Sequence, residues 1–273
     1  MLKSVVTRII VALLVLLAAS PAIAEQEQLL LDGKSICIDA GHGGPLPGAV
    51  FGADGIYLEE KNINLDVAWR LRTLLEQDGA TVFMTRVDDS DLSNDERYTV
   101  ANENEVDIFV SVHTNSVLLN PETRDGSMAL YFDSPDQELA RLIYDVMYES
   151  LREDAQDADI TFTDYGASKF ASRILMSSTM PATLLEPVCM SNPTEALWLD
   201  ASIHVVDEDG VVVLGDGGKP TKVDAGPSDH PWRRNDIATS IQDGILAYFE
   251  SAPTGGDEPG AGPPCDQPPC KGR

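Results

Sequence analysis

Short apolar runs alternate along the chain with longer segments in which apolar residues recur every three or four positions. The short runs have the length of buried strands, and the recurring positions lie on one face of a helix. Strands that alternate with helices predict an α/β fold, here a single domain with a mostly parallel twisted sheet and helices on both faces. The predicted strands are Ser35–Ile38, Ala80–Met84, Asp107–Val112, Met128–Phe132 and Ala182–Leu185, and the predicted helices begin at Glu60, Ser93, Ser134, Asn192 and Asn235.

The two ends of the chain differ from this alternating region. Lys3 and Arg8 precede an apolar run that is shorter than the about 20 residues needed to span a membrane, and small residues follow it. This order is typical of a secretory signal peptide over residues 1–24, so we expect an exported protein of the periplasm or cell envelope. An uncleaved N-terminal anchor is the alternative. Residues 251–273 are rich in Pro, Gly and Asp and are expected to be disordered.

The folded domain is predicted to cover residues 34–250. Within it, residues 202–231 are expected to form an inserted hairpin on the surface, and no segment after the first 24 residues is apolar enough for a membrane helix. The formal net charge is −26, which would repel a polyphosphate strand and argues against nucleic-acid binding. Cys37 lies within an apolar run and is predicted to be a buried hydrophobic residue, whereas spacing does not assign Cys189 a role.

Two of the four histidines follow the carboxyl ends of predicted strands. His42 lies between two glycines after the first strand, and His113 follows the third. In open α/β sheets this edge is where ligands bind, so a metal site is a reasonable hypothesis, although each histidine alone is more often structural. A third ligand is needed for a catalytic zinc ion. Glu59 and Glu60 are candidates, with a favourable charge at a helix N-terminus as the alternative explanation.

Glu186 ends the last apolar strand. A carboxylate in this position is costly unless it is paired or functional, so it is the best candidate for a general base among the many acidic residues. Asp39, three residues before His42, is a candidate to orient a ligand, and a role in the turn is equally consistent with the pattern. Asn115 and Asn192 lie near the same edge, where turn and helix-cap roles explain them equally well.

Five segments, in this order along the chain, resemble the zinc-dependent N-acetylmuramoyl-L-alanine amidases of the type-3 amidase family. The similarity runs from about Lys34 to Leu199 and resumes in the last helix. Each segment alone is a weak signal, and the five together are specific. They are Ile-Asp-Ala-Gly-His-Gly-Gly, Glu-Glu-Lys, Glu-Arg-Tyr-Thr-Val-Ala-Asn, Val-Ser-Val-His-Thr-Asn-Ser and Leu-Leu-Glu-Pro-Val-Cys-Met-Ser-Asn-Pro-Thr-Glu.

The resemblance implies an enzyme that cuts the amide between N-acetylmuramic acid and L-alanine in peptidoglycan. By position in the motifs, His42, Glu60 and His113 would bind Zn²⁺, with Glu60 preferred to Glu59 because it directly precedes a lysine. Glu186 would match the catalytic glutamate, which takes a proton from the attacking water and returns it to the leaving amine. The resemblance also implies residues 34–250 as the catalytic domain and leaves room for a protein activator.

The chain departs from the family pattern at Pro187 and Cys189, where small and aromatic residues are usual after the glutamate. The interval between His113 and Glu186 leaves no room for a long blocking helix, although Arg152–Lys169 is not assigned by pattern. Two other functions stay open. One is a non-catalytic wall-binding or regulatory module with the amidase fold, and the other is a metallohydrolase that acts on a free peptide or an acylated amino sugar.

Overall fold

The computed structural model describes residues 29–53, 56–117, 121, 124–157, 160–201 and 233–251. The predicted signal peptide, the hairpin expected within residues 202–231, and the tail beyond residue 251 lie outside these residues. Among the described helices, none is both long and apolar enough to cross a membrane.

The described residues form an α/β structure around a six-stranded sheet in the order β4-β1-β5-β8-β6-β7. Neighbouring strands are parallel except β8 and β6, which are antiparallel. A separate two-stranded hairpin joins β2 to β3. The strands are β1 (Ser35–Ala40), β2 (Val50–Ala53), β3 (Ile56–Glu59), β4 (Thr81–Met84), β5 (Ile108–Val112), β6 (Arg124–Tyr131), β7 (Thr161–Lys169) and β8 (Ala182–Glu186).

Helices begin close to the residues at which the pattern predicts them. Ser93 caps α2, and both hydrogen bonds of its capping box with Glu96 are present. The third predicted helix, expected to end near Leu151, continues to Asp157. The helices are α1 (Glu60–Gln77), α2 (Asn94–Glu103), α3 (Ser134–Asp157), α4 (Arg173–Ser177), α5 (Pro193–Ala201) and α6 (Arg233–Ser251).

Successive side chains of a strand point to opposite faces of the sheet. In the central strands the side chains on both faces are buried. In β1, Ile36 and Ile38 pack into a core with α1, α3 and α6, while Cys37 packs into a smaller core with α2 and α4. In β5, Phe109 shares the smaller core. The prediction of helices on both faces is therefore confirmed, and Cys37 is a buried free thiol as expected.

The pattern missed the β2–β3 hairpin, the edge strand β7 and the short helix α4. Strand β7 has no fully buried residue, so the sequence shows no apolar run that would reveal it. The stretch Arg152–Lys169, which the pattern leaves unassigned, completes α3 and then forms β7. This strand pairs with β6 and lies two strands away from β8, at the edge of the sheet.

Candidate active site

The sheet topology brings the two strand-end histidines together. Strands β1 and β5 are parallel neighbours in which Ala40 pairs with Val112. His113 directly follows β5, and His42 follows β1 after one intervening residue. Glu60 is the first residue of α1, to which the β2–β3 hairpin leads the chain. Three distant segments of the sequence therefore meet at one edge of the sheet.

The side chains of His42, Glu60 and His113 form a compact group of possible metal ligands, with one donor atom from each within 4.8 Å of the others. Glu60 lies between the rings, with Oε2 3.2 Å from Nε2 of His42 and Oε1 3.0 Å from Nδ1 of His113. Glu59 does not join them, because its carboxylate contacts the Tyr57 hydroxyl and the Asn62 amide. The structure therefore brings Glu60, and not Glu59, to the two histidines.

The Glu60 carboxylate also accepts hydrogen bonds from groups outside this triad. The backbone N–H of Ala49 donates to Oε2 at 2.8 Å. The backbone N–H of Thr114 and the side-chain amide of Asn64 both donate to Oε1 at 3.2 Å. Burial alone would raise the pKa of Glu60, but hydrogen bonds from His113 and His42 outweigh it and hold the pKa well below its usual range. Glu60 is therefore a fixed, ionised carboxylate.

Two buried arginines hold the loop that carries His42. Arg86 donates to the carbonyl oxygens of Ala40 and Gly41, and Arg97 donates to those of Ala40 and His42 at 2.7 and 2.8 Å. His42 has a φ of 61°, a left-handed conformation that is unusual for a residue with a Cβ. The arginine contacts stabilise this conformation, which its flanking glycines make sterically accessible.

Asp39 acts on this loop through Arg97. Its carboxylate is buried and accepts hydrogen bonds from the side chains of Thr85, Ser111 and Arg97. Burial raises the pKa of Asp39, but the Arg97 charge and these hydrogen bonds lower it below the usual value overall. Asp39 thus anchors the arginine that holds the His42 backbone.

Two glycines are required where the triad packs against the backbone. A Cβ on Gly41 would lie 2.4 Å from the His113 ring, and one on Gly48 would lie 2.4 Å from Oε2 of Glu60. Gly48 also has a φ of 70°, which side-chain-bearing residues rarely adopt. The backbone therefore forms a close wall around the ligand atoms.

Glu186 is the last residue of β8, which pairs with β5 next to His113. Its Oε2 is buried, and among the described residues no group forms a hydrogen bond with it. Burial raises the pKa of Glu186 to about 7, with the His113 charge lowering it and the Glu60 charge raising it. The carboxyl group of Glu186, the fourth predicted site residue, therefore lies close enough to His113 and Glu60 to interact with their charges, and its Oε2 has no partner among the described residues.

The two asparagines near this edge have turn and cap roles. Oδ1 of Asn115 accepts from the N–H of Ser116, and Oδ1 of Asn192 accepts from the N–H groups of Thr194 and Glu195 at the start of α5. These contacts match the structural explanation that the sequence left open.

Sequence reasoning missed Asn64, Arg86 and Arg97 as supporting residues. Asn64 follows Glu60 by four positions on α1, a spacing that places two side chains on the same helix face. Arg97 lies within one of the family motifs, but its reach back to the His42 loop depends on the packing of α2. The four-residue spacing of Glu60 and Asn64 could have been noticed in the sequence. The contacts of Arg86 and Arg97 with the His42 loop could be found only from the three-dimensional structure.

A family model described as N-acetylmuramoyl-L-alanine amidase matches residues 36–204, more than half of the chain. The chain belongs to this family. The germination-specific N-acetylmuramoyl-L-alanine amidase of Bacillus subtilis is 29% identical over 238 residues, which cover 81% of this chain and 82% of that protein. The probable cell wall amidase LytH of Staphylococcus epidermidis is 30% identical over 174 residues, covering 64% of this chain and 54% of that relative.

Solved structures agree with the family assignment. The catalytic domain of CwlV, an N-acetylmuramoyl-L-alanine amidase from Bacillus (Paenibacillus) polymyxa, has a TM-score of 0.59 and 28% identity, covering 80% of this chain and 98% of the CwlV domain. The activity of this amidase chain is therefore hydrolysis of the N-acetylmuramoyl-L-alanine bond, and its substrate is peptidoglycan of the cell wall.

Proposed function

We propose that this amidase depends on zinc, with His42, Glu60 and His113 as the metal ligands and Glu186 as the catalytic base. One observation carries the proposal: three possible ligand atoms converge at one edge of the sheet, and a buried carboxyl oxygen without a partner belongs to Glu186, which interacts with the charges of His113 and Glu60. Each feature has a separate role in hydrolysis, because one binds a cation and the other accepts a proton.

The donor set fits zinc in the type of its ligand atoms. Two imidazole nitrogens and one carboxylate oxygen are ligands of the kind that zinc takes in hydrolases, where three protein ligands leave one position open. Ligand atoms about 2.0–2.1 Å from a tetrahedral ion lie about 3.3 Å apart. One nitrogen or oxygen atom from each of the three residues lies within 4.8 Å of the others, so small side-chain movements would bring them to this spacing.

A bound zinc ion would supply a Lewis acid that polarises the scissile carbonyl and makes a nearby water molecule easier to deprotonate. Glu60 contributes a single negative charge that its hydrogen bonds hold in place. With two neutral histidines, it leaves a net positive charge for the metal centre.

Glu186 would move the proton that hydrolysis requires. Its unpartnered Oε2 can accept a proton from the attacking water and then donate it to the leaving nitrogen of L-alanine. A pKa of about 7 suits both directions of transfer near neutral pH. Transfer of this proton allows the amine to leave as a neutral group.

The test replaces Glu186 with glutamine, which keeps the size of the side chain and removes the basic oxygen. We expect E186Q to bind one zinc ion per chain with wild-type affinity and to lose about 10²- to 10⁴-fold in kcat on purified peptidoglycan. Release of new L-alanine amino termini measures cleavage. Full activity in E186Q would reject the role of Glu186, and loss of zinc binding would place its side chain among the ligands instead.

The same assay separates the rival functions. Zinc binding by the wild-type chain without any released product would indicate a wall-binding or regulatory module, while release of another product would indicate a different metallohydrolase. The presence of the complete set His42, Glu60, His113 and Glu186 in one site favours the enzyme.

We also propose that the protein is exported, with residues 1–24 as the signal peptide and residues 34–250 as the catalytic domain. Relatives named as cell wall amidases support an extracytoplasmic location. N-terminal sequencing of secreted protein tests it, with a start near Glu25 expected. A protein activator stays a prediction.

A further inference from the structure

The β6–β8 ladder stops at the candidate catalytic residue. Met128 pairs with Glu186, Ala129 with Leu185 and Leu130 with Leu184, and there the register ends. The residue that follows β8 is Pro187, which has no N–H and cannot donate to a ladder. The backbone after Glu186 therefore needs other contacts to stay in place.

Two buried side chains of β6 make these contacts. Continued register would place Ser127 opposite Pro187 and Asp125 opposite Cys189. The Ser127 hydroxyl donates to the Pro187 carbonyl at 2.6 Å, and the Cys189 N–H donates to Oδ1 of Asp125, also at 2.6 Å. Both side chains are fully buried, which strengthens their hydrogen bonds and makes their loss costly.

The other side of the same segment is held by the extension of β5. Asn115 donates its N–H to the Val188 carbonyl and accepts from the Met190 N–H. No side chain in the described part of the structure bonds to Oε2 of Glu186. No hydrogen bond to Oε2 therefore fixes the Glu186 carboxylate, and the backbone that follows Glu186 is held between Asn115 and the two β6 side chains.

Asp125 lies within the electrostatic reach of a buried ion pair. Glu195 of α5 and Arg233 of α6 form two hydrogen bonds of 2.7 and 2.9 Å, and both side chains are fully buried. Burial, followed by the neighbouring charge of Glu195, raises the pKa of Asp125 well above its usual value. Oδ2 of Asp125 is buried and has no hydrogen-bond partner among the described residues, while Oδ1 accepts from Cys189.

We propose that Asp125 and Ser127 are positioning residues for Glu186, replacing through their side chains the strand pairing that Pro187 interrupts. This inference rests on the proposed role of Glu186 as the base. Among the described hydrogen bonds, none joins Asp125 or Ser127 to the ligand triad or to Oε2 of Glu186. They act on catalysis through the backbone of residues 187–189 alone.

The test compares five variants in the zinc-loaded full chain. D125A removes the acceptor for Cys189 and S127A removes the donor to Pro187. D136A is the first control, since Asp136 is a buried acceptor for the Ala182 N–H at the opposite end of β8. T183V is the second control, because Thr183 donates a buried hydroxyl to the Leu130 carbonyl within the same strand pair.

We expect D125A to lose about 10- to 10²-fold in kcat and S127A to lose less, with KM and zinc content unchanged, because displacement of a base by about 1 Å has effects of this size. Hydrogen exchange at the Cys189 amide should accelerate in D125A. The two controls should lose stability without a comparable loss of kcat. D125N should restore most of the turnover, since its amide oxygen can accept from the Cys189 N–H as Oδ1 of Asp125 does.

Wild-type kcat in both D125A and S127A would overturn the inference, as would a loss of kcat in D136A and T183V equal to that in D125A and S127A. If D125A does not fold, S127A and D125N still decide the matter. Failure of the proposed role of Glu186 gives a distinct result, because E186Q would then keep its wild-type turnover regardless of the turnover of the D125A and S127A variants.

Discussion

Glu60 and Glu186 are the same type of residue at the same edge of the sheet, yet they differ in the hydrogen bonds of their carboxyl groups and in their pKa values. Glu60 accepts hydrogen bonds on both carboxylate oxygens, and its pKa is held below the usual range. Glu186 has a buried oxygen without a partner, and its pKa is raised to about 7. Two carboxyl groups with pKa values driven apart can divide the work of ion binding and proton transfer.

The largest expected effect comes from removing the charge of Glu60. E60Q should bind zinc far more weakly than the wild-type chain and lose at least about 10³-fold in kcat/KM, because a neutral amide is a poor zinc ligand. Metal analysis after dialysis, together with the peptidoglycan assay, measures both effects. Wild-type zinc content in E60Q would remove Glu60 from the ligand set.

The stability of the zinc-free chain should depend on pH in opposite directions at the two glutamates. Glu186 has a folded pKa of about 7 against an ordinary 4.5, so its buried charge costs stability as pH rises through this window. A shift of this size corresponds to about 3 kcal/mol. Relative to wild type, E186Q should therefore become more stable between pH 4.5 and 7.

Glu60 provides the reverse case, because its folded pKa is lowered. The stability that it contributes is present above the ordinary pKa of a glutamate and is lost as pH falls through the lowered value. Urea unfolding in the presence of a chelator, at several pH values, measures both differences. Parallel pH profiles for wild type, E186Q and E60Q would contradict the contrast between the two glutamates.

Removing support from Glu60 should weaken metal binding without abolishing it. Asn64 donates to Oε1 of Glu60 and accepts from the Thr114 hydroxyl. N64A should lower zinc affinity about 10- to 100-fold, as is usual for residues that orient a metal ligand. Asn62, exposed on the same helix, is the matched control, and N62A should bind zinc like the wild type. Equal affinities for all three proteins would make Asn64 a packing residue only.

The smallest effect is expected at Glu59. Its carboxylate forms an ion pair with Lys61 at 3.6 Å and does not contact the histidines. E59Q should change zinc affinity and kcat by less than about twofold, since exposed ion pairs contribute at most about 1 kcal/mol. An effect of E59Q as large as that of E60Q would mean that the two neighbouring glutamates share the ligand role.

The sequence was sufficient for the strands and helices that carry the site. Buried parallel strands appear as continuous apolar runs, so the positions of His42, His113 and Glu186 at strand ends could be predicted from pattern. Apart from the buried Leu58, the residues of the edge strand β7 and the β2–β3 hairpin are exposed or half-buried and show no such run. The periodicity of apolar residues reveals an element only when one of its faces is buried, and most residues of β2, β3 and β7 are not buried.

The supporting contacts of the site could not be derived from pattern. Arg97 reaches the His42 carbonyl from a helix 55 positions further along the chain, and Asp125 reaches Cys189 across 64 positions. Such pairs depend on how helices and strands are placed in space, which neither spacing nor propensity encodes. The resemblance to a family predicts the reacting residues, while the structure was needed to find the residues that hold them.

The most direct measurement is a crystal structure of E186Q grown with zinc, with anomalous data collected at the zinc edge. The account predicts one strong peak about 2.0–2.2 Å from Nε2 of His42, Nδ1 of His113 and a carboxylate oxygen of Glu60. Residue 186 should face that peak without coordinating it. A zinc ion bound elsewhere, or bound by residue 186 in place of Glu60, would contradict the division of roles between the two glutamates.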